Sequence, residues 1–149
     1  MKYIECPKVY EGREVSLFLA GGISGCKIWQ NDLVKLLEDT SLVLINPRRK
    51  NFDIKDLTLE KKQITWEYEH LERASAVSFW FPSETVCPIT LYELGKISQT
   101  DKPLFIGIDR NYTRINDISI QTKLIRPDVK VVYSLEGLAE QIKCWERTL

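Results

Sequence analysis

The sequence holds a single histidine and a single methionine, and its four cysteines include no C-x-x-C pair. It also has no surplus of either charge. Each scarcity removes a class of function. Any histidine-based triad would have to be built on His70 alone. Cys6, Cys26, Cys87 and Cys144 are far apart, so they read as free thiols and no zinc or other metal site is expected. Lys+Arg and Asp+Glu both total 21, giving a formal net charge of zero. That balance speaks against a nucleic acid polymer or an acidic membrane as the main partner. A small anionic ligand needs only a local basic spot and stays open. No run approaches the roughly 18 apolar residues of a membrane span. The stretch Met1–Lys8 lacks the apolar core of a signal peptide. The expected location is the cytoplasm.

What the chain does have is alternation. Its 149 residues suit one domain, 1–149, with a full core. Short apolar runs at Val15–Ala20, Leu42–Ile45, Ala76–Phe81, Leu104–Ile108 and Val129–Tyr133 read as strands. Between and after them, Trp29–Glu38, Thr58–Arg73, Ile89–Gln99, Ile115–Leu124 and Leu135–Arg147 read as helices. In the second of these, Ile64, Tyr68 and Leu71 are expected to face inward. Arg48–Leu57 is polar and reads as loop, and residues 1–14 as an N-terminal tail or edge element. Pro88 suits a helix start and Ser134 a helix cap. Near-continuous apolar strands separated by helices imply a parallel sheet covered on both faces. The fold class is therefore α/β: a flavodoxin-like, five-stranded parallel sheet of order 2-1-3-4-5. Its ligand crevice lies outside the carboxyl ends of strands one and three.

Four groups of residues fall at that crevice. Gly21, Gly22 and Ser24 follow the first strand, where glycines either let backbone N–H groups approach a phosphate or sugar, or simply make a tight turn. The spacing fits neither G-x-G-x-x-G nor a P-loop. Arg48 and Arg49 follow the second strand; they can hold a phosphate or carboxylate, or be a solvated charge run. Gln63, Glu67 and His70 share a helical face, on which Glu67 can donate a proton or orient a ligand, unless the face is merely wet. Glu69 and Glu72 project elsewhere and read as solvated. Glu93 lies early in the helix opened by Pro88, where the dipole is expected to keep it ionised. An ionised carboxylate at a pocket mouth is a nucleophile or a cation binder.

Taken in order, LAGG at Leu19–Gly22, INPRR at Ile45–Arg49, Q-x-x-WE at Gln63–Glu67 and PITLYELG at Pro88–Gly95 resemble the nucleoside 2-deoxyribosyltransferase-like family. The resemblance runs from about Val15 to Gly107. It implies a flavodoxin-like enzyme that cleaves the N-glycosidic bond of 2′-deoxynucleosides or deoxynucleotides and passes the sugar to another base. Glu93 falls on the nucleophilic glutamate, which forms a covalent deoxyribosyl intermediate. Glu67 falls on the helix carboxylate that holds the sugar or handles the base proton. Phe18 falls near the aromatic of the first strand, though it lacks the phenolic oxygen many members have. Cys87 stands where an acidic residue is usual. Gly22, Ser24, Gly25 and Arg48 partly resemble the phosphate loop of related deoxynucleoside monophosphate N-hydrolases. The implied partners are a nucleoside or nucleotide, a free base and further copies of the chain in a homo-oligomer. No cofactor is implied. A nucleotide N-hydrolase and a non-catalytic nucleotide-binding module are the alternatives.

Overall fold

Strands that are apolar on both faces are stable only where both faces are covered, and the chain supplies a layer of helices for each. The computed structural model describes residues 1–49 and 57–149. Among them six strands form one parallel sheet: β1 (Lys2–Glu5), β2 (Ser16–Gly21), β3 (Val43–Asn46), β4 (Ala76–Phe81), β5 (Leu104–Ile108) and β6 (Val131–Val132), in the order β1-β3-β2-β4-β5-β6. Among the described residues four helices connect them, α1 (Trp29–Leu36), α2 (Leu57–Arg73), α3 (Pro88–Ile97) and α4 (Ile115–Ile125), and a fifth, α5 (Leu135–Glu146), follows β6. This is the flavodoxin-like arrangement with one strand more than expected. The extra strand is β1, which pairs with β3 from Lys2↔Val43 to Glu5↔Asn46. Of its four residues only Ile4 is buried. One buried side chain is too little periodicity to separate an edge strand from a tail.

Side chains alternate across the sheet. Phe18, Val77, Phe79 and Ile106 enter the layer beside α2, α3 and α4. Leu17, Leu19, Leu44 and Trp80 enter the layer beside α1 and α5. Trp29 and Trp80 are spent in that second layer, 3% and 7% exposed. β6 is shorter than the run Val129–Tyr133 suggested. Ser134 caps α5, its Oγ accepting from Gly137 N at 3.0 Å.

The inward face of α2 needs correction. Trp66, His70 and Leu71 are buried, whereas Ile64 and Tyr68 are each 58% exposed. Helical periodicity marks which residues share a face, but not which side of that face meets the sheet. Ile64 and Tyr68 lie on the side that overlooks the strand ends. The loop expected over Arg48–Leu57 falls largely on residues 50–56, outside the described residues.

Candidate active site

At the carboxyl ends of β2, β3 and β4 a cavity of about 610 Å³ opens between α2 and α3. It lies at the switch point of the strand order, as expected for this class of sheet. Ala20, Gly21 and Gly22 form its floor. Gln63, Ile64, Glu67 and Tyr68 line one wall, and Cys87, Ile89, Tyr92 and Glu93 the other. Ser24 and Arg49 also face it. Phe18 and Arg48 do not.

The two glycines are required by packing. A Cβ on Gly21 would sit 2.4 Å from the Trp29 ring, and one on Gly22 would sit 2.7 Å from Pro82 Cγ and 2.9 Å from Cys87 Sγ. Trp29 Nε1 donates to Gly22 O at 2.8 Å. The turn is thus held against the core of one layer and the β4–α3 loop at once. Arg48 braces the same turn from outside. Its guanidinium donates to the carbonyls of Lys27 and Cys26 at 3.0 and 3.2 Å and to Gln30 Oε1 at 3.2 Å. Phe18 is fully buried and packs against Trp66, ring centroids 6.5 Å apart. It supports the floor from beneath.

Cys87 precedes α3 in the left-handed conformation, φ 53°, ψ 57°. A non-glycine residue held there is strained, and such strain concentrates at functional sites. Burial pushes its thiol up to about 12, so it is neutral and supplies no charge. Its Sγ donates to Thr85 O at 3.4 Å. Tyr112 OH donates to Val86 O at 2.7 Å and anchors this loop, a contact with no local signature in the sequence.

The two carboxylates face each other across the cavity. Glu93 lies in the second turn of α3, whose first turn contains no acidic residue. Dipole stabilisation fades within the first turn. The expectation of a dipole-ionised Glu93 is therefore corrected: burial first, then repulsion from Glu67, raise it to about 7, and Lys96 only partly opposes them. Glu67 is raised too, chiefly by burial, against the Gln63 hydrogen bond and the charge of Arg49. Gln63 Nε2 donates to Glu67 Oε1 at 2.5 Å and to Pro47 O at 2.8 Å. Near neutrality Glu93 is present in both its ionised and its protonated form. Such a pair can deliver an anionic oxygen and a proton to opposite ends of one bond.

His70, expected on the face of Gln63 and Glu67, is instead buried away from the cavity. Its Nε2 accepts from Tyr10 N at 3.0 Å, its Nδ1 lies 2.8 Å from Trp66 O, and its ring stacks on Trp66. Both nitrogens are used, which removes it from any triad. Glu72 pairs with Lys96 at 2.6 Å and Glu69 lies 3.9 Å from Arg73. Among the described residues no three His, Cys, Asp or Glu side chains gather as metal ligands would. Nor is any described helix long and apolar enough to cross a membrane.

Fold and site together define a flavodoxin-like α/β protein with a carboxylate pair in its strand-end crevice. Residues 14–112 match the family described as nucleoside 2-deoxyribosyltransferase like, and the chain belongs to it. The matched segment contains both carboxylates and leaves out β1, α4, β6 and α5. Among curated proteins none matches the chain.

Proposed function

We propose that the protein transfers the deoxyribosyl group of a 2′-deoxynucleoside or deoxynucleotide between bases. The observation that carries this reading is the Glu67–Glu93 pair, brought from two helices into one cavity in a chain of this family. The Glu93 carboxylate attacks C1′, the C1′–N bond breaks, and its electron pair leaves on the base, which takes up a proton held by the pair. An acceptor base then attacks C1′, yields its proton, and releases Glu93. The transition state is oxocarbenium-like, which a carboxylate stabilises and captures. Neutral Cys87 contributes shape only. Gln63 uses both amide N–H groups on protein acceptors, so it acts on substrate through Glu67. Arg49 is the arginine of the pair that faces the cavity, and it is the one expected to meet an anionic part of the substrate.

Residues 1–149 act as one unit, because β1 is a strand of the sheet that carries the site and α5 packs on it. Ile64, Tyr68, Ile89 and Tyr92 are 58–77% exposed around the cavity mouth. Apolar surface of this kind at a site rim suits a second copy of the chain, which light scattering would detect. The deciding experiment supplies deoxynucleosides with and without an acceptor base. Transfer predicts new nucleosides that increase with acceptor at the expense of free deoxyribose. Deoxyribose release indifferent to acceptor would replace this reading with the N-hydrolase. Trapping with a 2-fluoro-2-deoxy nucleoside should add one sugar to a peptide containing Glu93.

A further inference from the structure

Cys6 lies just past β1, outside the segment that matches the family, and it is 3% exposed. Its backbone N–H donates to Asn46 O at 3.0 Å, so the end of β3 fixes its position. Its thiol donates to Gln63 Oε1 at 3.0 Å and accepts from Arg49 Nε at 3.1 Å. These are the two groups that favour the ionised form of Glu67. An amide has one acceptor oxygen and two N–H donors. With the oxygen taken by Cys6, the N–H groups are left for Pro47 O and Glu67. A flipped amide would set its oxygen against those two acceptors and its N–H groups against the thiol proton.

We propose that Cys6 is a positioning residue of the site: its thiol orients the Gln63 amide and the Arg49 guanidinium, and through them sets the protonation of Glu67. The proposal rests on the role given above to Glu67. It makes the N-terminal strand part of the site. Glu67 faces Gln63 on its own helix, Arg49 past β3, Cys6 past β1, and Glu93 with Lys96 on α3. Cys6 touches the first two and leaves the α3 groups alone. Its removal therefore acts on Glu67 in one direction. The loss of oriented donors disfavours the carboxylate and raises its titration midpoint.

Carboxyl-carbon NMR of the ligand-free protein reads that midpoint directly, whether or not a deoxynucleoside is turned over. In Cys6→Ala the Glu67 midpoint should rise by about half to one pH unit, the equivalent of one modest hydrogen bond. Cys6→Ser, which keeps a donor and an acceptor, should restore most of it. In a Gln63→Leu background the same change should shift the midpoint less, because the two residues act in one chain. Should the alanine variant fail to fold, Cys6→Val fills the space without hydrogen bonding and carries the same expectation. A midpoint that stays put, or a shift as large without Gln63 as with it, overturns the proposal. A protein that shows the shift yet turns over no deoxynucleoside keeps Cys6 in this role and loses the catalytic reading instead.

Discussion

Two cavities lie at opposite ends of the sheet, and they treat charge in opposite ways. The one at the amino ends, about 450 Å³, is bounded by Tyr10–Glu14, Ser16, His70 and Arg73–Ser75. Several of its polar groups are held by defined partners. Ser16 N donates to Ser75 Oγ and Ser75 N to Ser16 Oγ, at 3.0 and 3.2 Å. Glu14 is paired with Lys2 and hydrogen-bonded by Tyr10, and the Lys2 contact holds its carboxyl below the usual range. His70 has a partner on each nitrogen. At the carboxyl ends, by contrast, two carboxylates confront each other in a mostly apolar cavity, and both are pushed upward. A satisfied cavity is a product of folding. An unsatisfied one costs stability and persists where a ligand or a reaction uses the imbalance.

The comparison breaks most severely at Glu93. Glu93→Gln should reduce turnover by several orders of magnitude, because only uncatalysed attack by water remains. It should also alter stability in a pH-dependent way. The unfolded chain titrates this group near 4.5 and the folded one near 7. Between those values the folded state holds the extra proton, so the group's contribution to stability falls as pH rises. Thermal melts should therefore find the variant more stable than the parent above neutrality, with a smaller gain on the acid side. Lost stability at high pH would mean that Glu93 is not strained by its site. Glu67→Gln comes next, with an expected rate loss of roughly 10²–10⁴-fold and a lowered Glu93 midpoint once the opposing charge is gone. Single-turnover kinetics with a pH series would measure both.

The pH profile itself sharpens the contrast. If ionised Glu93 is the nucleophile and the pair supplies the proton, kcat/KM should rise about tenfold per pH unit below the Glu93 midpoint of about 7 and fall again where the pair loses its last proton. Lys96→Met removes the cation that opposes the shift and should move that rise to higher pH. A flat profile across neutrality would remove Glu93 from the attacking role.

At the other end, His70→Ala should cost stability of about 1–3 kcal/mol, since it removes the acceptor of the half-buried Tyr10 N–H and the stack on Trp66. Denaturant titration would read it, and the activity profile should keep its midpoint. Burial lowers the pKa of His70. The unfolded chain then takes up the proton first, so this contribution is present above the ordinary histidine value and lost as pH falls below it. The smallest effect is expected at Arg48→Ala. Loosening the β2–α1 turn should cost about 1 kcal/mol of stability and leave the affinity for a deoxynucleotide near that of the parent. A large selective loss of nucleotide binding would return Arg48 to the substrate.

Much of the fold was legible because burial on both faces leaves a plain mark. Ala76–Phe81 and Leu104–Ile108 are strands at the bounds their apolar runs suggest. β1 was not legible as a strand, because an edge with one buried side chain has no pattern to read. The position of the site followed from strand order, and Glu67, Glu93, Gln63, Cys87 and Arg49 do meet there. Phe18, Arg48 and His70 sit at the expected places along the chain, yet point into the core, a loop and a buried hydrogen-bond pair.

The sequence by itself determined the parallel sheet, the crevice at its switch point and the two glutamates that reach it, because periodicity and spacing are local properties of the chain. Only the tertiary structure decided the state of those glutamates. Whether a carboxylate is ionised depends on what lies across the cavity. Glu93 is raised by burial and by a charge 26 positions away in the sequence, and Glu67 is steadied by an amide that a thiol from the far N-terminus holds in place. Desolvation and Coulomb repulsion act through space, and no stretch of sequence records them.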